Sequence, residues 1–320
     1  MPVAIAINPS ANPKKNASNG SHRPMRWLIT TVFLICLGTL AAPACGQHAE
    51  TAVQRGEAVF HAAGGCSCHT DVKNKGPFMA GGRPIGTPFG SVYATNITPD
   101  TETGIGAWSD TDFIQAMTQG VAPDGKHYYP TFPYTSFTRM TQQDLLDLKA
   151  YLFSIPPVRQ TNRSHTLRFP FSWRGAIAGW KRLHFQPGPF QPDAAQSAEW
   201  NRGAYLVQAQ AHCGECHTPR NVMGGLKTSM LYAGAVDGPE GELAPNITPD
   251  EATGIGDWTI ADMVWYLRTG LKPDGDDTQG LMSEVIEHGY QHLPEADLRA
   301  IAVYLRSLEP IVNKVVPKDP

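Results

Sequence analysis

The chain has 320 residues, 41% of them apolar, with a formal charge of −3 at pH 7 and a pI near 6.4. That apolar content supports a sizeable core and about two domains, and it excludes a disordered tail. The near-neutral charge excludes the electrostatic footprint of a nucleic-acid binder.

Residues 1–47 read as an export signal. A polar stretch leads to "MRWLITTVFLICLGTLAAPAC", with a positive charge at Arg26, an apolar run from Trp27 to Leu40, and small residues at Ala42 and Ala44. The run is shorter than the roughly 20 residues that span a bilayer, so cleavage is favoured over a retained anchor. Lipidation at Cys45 is a further alternative.

A helix is expected over about residues 52–63. It leads into "HAAGGCSCHTD", where Cys66 and Cys68 are followed by His69. Next comes "NITPDTETGIGAW", residues 96–108, and then a second helix with Ser109 as N-cap and Asp112 three residues on. A long loop, "HYYPTFPYTSFTRM", carries His127, Phe132 and Met140. A third helix has its apolar face at Leu145, Leu148, Tyr151 and Leu152.

Residues 148–192 contain no Asp or Glu and interleave Arg159, Arg163, Arg168, Arg174, Lys181 and Arg182 with Phe169, Phe171, Trp173, Trp180, Phe185 and Phe190. This linker reads as an aromatic wedge between two domains, with its arginines as partners for carboxylates of a bound group. A docking face is the alternative.

The pattern then repeats. "NITPDEATGIGDW" at residues 246–258 matches the earlier stretch at ten of thirteen positions, and "VYLRSL" at 303–308 answers "AYLFSI" at 150–155. A repeat of this length is a duplicated domain. Helices are expected over about residues 198–211, after Trp258 with Thr259 as N-cap and Asp262 three residues on, and along Leu298, Ile301, Tyr304 and Leu305. The Asn-Ile-Thr triplets at Asn96 and Asn246 are repeat features, not evidence of glycosylation.

The second copy holds "CGECHT", with Cys213, Cys216 and His217. In C-x-x-C-H two thiols add to the vinyl groups of haem as thioethers, and the adjacent imidazole becomes an iron ligand. A zinc site would need about two more Cys or His ligands, and a redox dithiol leaves His217 unexplained. Gly56 and Cys66 are ten residues apart, as are Gly203 and Cys213, so "CSCH" is the same motif with one residue lost between its cysteines. In the shortened motif Cys68 is expected to give the dependable thioether, with attachment of both cysteines as the alternative. A methionine is the usual sixth ligand. Met282 in "GLMSEV", a segment read as helix-free, fills that place in copy two. In copy one Phe132 stands where a methionine would be best spaced, leaving Met140, His127 or an open iron, with Met140 preferred.

The ordered set "CHT…GGR…TPFG…NITPD…TGIG…W…YP-FPYTSF…M", "PFSWR…GW…F-PGPF" and "W-RGAYLV…HCGECHTPRN…NITPD…TGIGDW…GLM-EV…DLRAIAVYLRSL" resembles the cytochrome c subunits of periplasmic, membrane-associated alcohol and sugar-acid dehydrogenases. It covers nearly all of residues 50–310. The resemblance implies an all-α fold of two tandem cytochrome c domains, 48–157 and 196–312, joined by the linker 158–195. It also implies two haem c groups that take electrons from a periplasmic dehydrogenase catalytic subunit and pass them to quinone or another respiratory acceptor. The chain would then be periplasmic, with peripheral association at the outer face of the cytoplasmic membrane. Many relatives carry three C-x-x-C-H motifs and this chain has two. A haem enzyme, such as a di-haem peroxidase or a thiosulfate-oxidising cytochrome using an exchangeable first haem, is the competing expectation.

Overall fold

The computed structural model describes residues 50–317. The export-signal reading of residues 1–47 lies outside them. In the first repeat α1 (Ala52–Ala62), α2 (Asp110–Gln119), a short α3 (Tyr134–Phe137) and α4 (Gln142–Leu152) follow one another; α5 (Gly175–His184) lies in the intervening segment. The second repeat holds α6 (Ala198–Tyr205), α7 (Gly214–His217), α8 (Ile260–Thr269), α9 (Gly280–His288) and α10 (Glu295–Arg306).

The starts of these helices are set locally. Ser109 accepts from the Asp112 N–H while Asp112 accepts from the Ser109 N–H, and Thr259 and Asp262 do the same for α8. Both α2 and α8 end on glycines in the left-handed region, Gly120 at φ 60° and Gly270 at φ 77°. Such pairing satisfies otherwise orphaned N–H groups and contributes about 1 kcal/mol per cap.

Packing brings α1 across α4 and α6 across α10. A glycine makes each crossing close: a Cβ on Gly56 would lie 1.9 Å from the Asp147 carbonyl oxygen, and one on Gly203 would lie 1.9 Å from that of Ala300. Beside the first crossing Phe60 meets Tyr151 at 4.9 Å, and beside the second Trp200 meets Tyr304 at 5.1 Å. The forked pairs Arg55–Asp147 and Arg202–Asp297 close the two crossings at their rims. One apolar core gathers Phe60, Phe113, Met140, Leu145 and Leu148, and another gathers Leu206, Met263, Leu298 and Ile301. Burying each such side chain stabilises by about 1.5–3 kcal/mol. The first core also takes Tyr205 and Ala209 from the second repeat, and the second takes Ala62 from the first.

The two Asn-Ile-Thr triplets have a structural task. Asn96 is buried and donates to the Val158 carbonyl at 2.7 Å; Asn246 is buried and donates to the Ile311 carbonyl at 2.7 Å. Each pins the chain that returns after the last helix of its repeat.

The fold is helix-rich, with a small sheet that the all-α expectation lacked. β1 (Pro84–Thr87) and β2 (Gly90–Tyr93) form an antiparallel hairpin, and β3 (Thr166–Leu167) from the linker pairs antiparallel with β2. Strands this short carry no readable alternation, and their third member arrives from a distant segment. The linker itself divides. Ile177 and Lys181 of α5 are buried, with Lys181 Nζ donating to the Gln119 and Gly120 carbonyls at the end of α2, whereas Phe169 is 85% and Trp173 65% exposed.

Candidate functional site

The second Cys-His motif grows out of the end of α6. The helix loosens into a π turn over Leu206–Gln210, His212 takes a left-handed conformation at φ 41°, and Cys213 then leads into the single turn of α7, ending at His217. Cys213, Cys216 and His217 therefore lie on one helical turn, the arrangement an intact C-x-x-C-H predicts. The first motif is folded differently. Gly64–His69 form a 3-10 segment in which Gly64 (φ 71°), Gly65 (φ 65°) and Cys66 (φ 47°) are all left-handed.

Both histidines are held alike. His69 Nδ1 lies 2.7 Å from the Thr95 carbonyl oxygen, and His217 Nδ1 lies 2.8 Å from that of Pro245. A carbonyl only accepts, so each Nδ1 carries the proton and each Nε2 keeps its lone pair for a metal. Burial lowers the pKa of both imidazoles, which keeps them neutral, as a ligand must be. Burial pushes the Cys66 and Cys216 thiols up to about 12 and Cys213 up to about 11, so the protonated thiol is held in place. Among the described residues the four cysteines are free of disulfides.

Each methionine candidate packs into the same apolar core as the first cysteine of its own motif: Met140, 3% exposed, with Cys66 and Phe132; Met282 with Cys213. Met282 does not sit in a helix-free segment. It lies in the first turn of α9, which was not foreseen because "GLMSEV" is too short for an apolar period to declare itself. His127 is engaged elsewhere, its Nδ1 2.9 Å from Lys181 Nζ. Thiols paired with one neutral imidazole and a thioether form a donor set that fits haem. Among the described residues no group of three or more His, Cys, Asp or Glu side chains is placed to hold a metal ion.

Each motif is braced by a helix of the other repeat. Burial first, then the Glu215 charge and after it Cys68, raises the pKa of the Cys216 thiol. Glu215, inside the second motif, is buried and accepts from Thr135 and Ser136 of α3 and from Arg220. The first motif rests on α9, with the Val285 methyls 3.3 Å from where a Cβ on Gly64 would be. The sequence did not announce this reciprocal contact, since each partner is remote along the chain. Near the Thr95 carbonyl a cleft of about 400 Å³ is lined by Tyr129, Arg163, His165 and Arg174. Trp108 and Trp258 both pack against their repeat's core. Among the described residues no helix is long and apolar enough to cross a membrane.

No protein-family model matches the chain. It is 41% identical over 261 residues to a protein named diheme cytochrome c-type from Cereibacter sphaeroides, covering 80% of this chain and 86% of that protein. It is 39% identical over 293 residues to the fructose dehydrogenase cytochrome subunit of Gluconobacter japonicus, covering 89% of this chain and 60% of that protein. A nicotinate dehydrogenase component of Pseudomonas putida is 44% identical over 280 residues, covering 85% of this chain but 23% of that protein. The chain thus spans less than two thirds of the last two. These relatives lend no support to the haem-enzyme expectation.

Proposed function

The chain belongs to the di-haem c-type cytochromes, carries two haem c groups and transfers electrons, and on that premise we propose the residues that do so. Cys68 would attach the first haem, with Cys66 beside it as a second thiol, and Cys213 and Cys216 would attach the second; His69 and His217 would be the histidine ligands, with Met140 and Met282 as the methionine ligands. When bound, the haem supplies an iron that takes up and releases one electron. The chain's own side chains prepare for it. The thiols, held protonated by burial, would supply the sulfurs through which a haem is attached. Thr95 and Pro245 orient the imidazoles, and the apolar cores keep water from the ligands. A thioether opposite the histidine raises the reduction potential. The observation that carries this reading is the matching pair of Nδ1-to-carbonyl bonds on the two histidines that follow the cysteines.

The same reading divides the chain into cytochrome c domains at 48–157 and 196–312, with 158–195 as an aromatic, basic linker whose arginines face carboxylates of a bound group or of a partner. Relatives named as cytochrome subunits of dehydrogenases support a catalytic dehydrogenase subunit as electron donor. Quinone or another respiratory acceptor is the proposed exit. The proposed location is the periplasm, with peripheral association at the outer face of the cytoplasmic membrane. Replacing Met282 with Ala in the haem-loaded protein is expected to abolish the methionine-to-iron absorption in the far red from that haem and to lower its potential. If both stay as in the parent protein, Met282 is not the ligand.

A further inference from the structure

Arg83 belongs to the first repeat, yet both of its carboxylate partners belong to the second. Its side chain is 6% exposed. Nε donates to Glu240 Oε1 at 2.9 Å, and the two terminal nitrogens donate to the two carboxylate oxygens of Glu284. A guanidinium bound as a fork fixes the orientation of its partner as well as its distance.

Glu284 lies on α9, two residues beyond Met282. That helix has no side-chain cap at Gln279; the Leu281 N–H is taken instead by Glu242 Oε2 at 2.8 Å. On another side α9 seats Val285 against Gly64, and a Cβ on Gly65 would lie 2.3 Å from the His288 carbonyl oxygen. A helix of nine residues without an N-cap side chain takes its position from tertiary contacts. Here those contacts come in large part from the other repeat.

We propose that Arg83 is a positioning residue for the second haem's methionine: by clamping Glu284 it holds the first turn of α9, and with it Met282, against the iron. The inference rests on the reading of Met282 as that ligand. Through it the first repeat sets how firmly the second repeat's haem keeps its sixth ligand.

The test uses the full, haem-loaded chain with Arg83→Gln and Glu284→Gln, singly and together. Imidazole is titrated into the ferric protein while the Met282 share of the far-red band, defined as the part that Met282→Ala removes, is followed. Each single variant is expected to release Met282 at roughly tenfold lower imidazole, and the double variant to go no further, because one interaction is being removed twice. Arg83→Lys, which keeps the charge but not the fork, should fall between. An unchanged imidazole midpoint in both single variants overturns the proposal. Equal loosening at the first haem, followed in a Met282→Ala background, overturns it too, and so does failure of both variants to mature with two haems, which would make the pair a folding element. If instead Met282→Ala leaves the far-red band intact, the ligand reading itself has failed.

Discussion

The two Cys-His motifs are copies of one ancestor that now solve the same geometric problem with different backbones. In the second, a π turn and a single left-handed residue, His212, deliver Cys213 to a regular helical turn. In the first, α1 stays regular and the left-handed conformation spreads over three residues, Gly64, Gly65 and Cys66. The position before the first cysteine is left-handed in both, since Gly65 corresponds to His212. What the lost residue adds is the left-handed conformation on either side of it. Gly64 adopts it freely, whereas Cys66, with its Cβ, is strained by about 1–2 kcal/mol. A deletion inside a binding motif was therefore absorbed where glycine made the backbone permissive, and the histidine bond to its carbonyl was left almost unchanged, 2.7 Å against 2.8 Å.

The sharpest way to break this comparison is to remove the cysteines one at a time. Cys68 keeps its place directly before His69, as Cys216 does before His217. Cys68→Ala should lose one of the two haems, whereas Cys66→Ala should keep both covalently bound, as read by mass and by alkaline pyridine spectra. A vinyl group left unsaturated moves the reduced α-band to longer wavelength, so the parent protein itself reports how many thioethers the first haem has. The reverse outcome, haem lost with Cys66→Ala and kept with Cys68→Ala, would sink the alignment of the two motifs.

The helix crossings are where the copies should behave alike. Gly56→Val and Gly203→Val each drive a side chain into a backbone carbonyl and should each cost about 3 kcal/mol or more. Thermal unfolding of the haem-loaded protein checks this. A difference between the two beyond about 1 kcal/mol would mean that one crossing can yield where the other cannot.

A smaller effect concerns the Arg55–Asp147 pair. The Arg55 hydrogen bond, first among the causes, holds the Asp147 carboxyl below its ordinary value of 3.8. A folded-state pKa below the unfolded one means that the pair's contribution is complete above about that ordinary value and is lost as pH falls through the folded value. With Arg55 41% exposed, Asp147→Asn should cost only about 1 kcal/mol at neutral pH. The difference from the parent protein should vanish in strong acid. Denaturant unfolding at a series of pH values would test it, and a difference that persists at low pH would show that the carboxylate charge is not its source.

The sequence by itself determined whatever depends on residues a few positions apart. The capping pairs Ser109–Asp112 and Thr259–Asp262, the apolar faces of α4 and α10 and the C-x-x-C-H chemistry all work over one or two helical turns, and the repeat shows as direct identity between two stretches, so pattern was sufficient to read them. Only the tertiary structure decided that Met282 starts a helix, that the linker adds a strand to a hairpin in the first repeat, and that Cys66 is left-handed. It also decided the bond from Arg83 to Glu284, residues 201 positions apart, whose motifs the sequence shows but whose pairing it does not. Such contacts form because two surfaces of the folded chain bury charges that must then find one another, and no local pattern encodes which ones they will be.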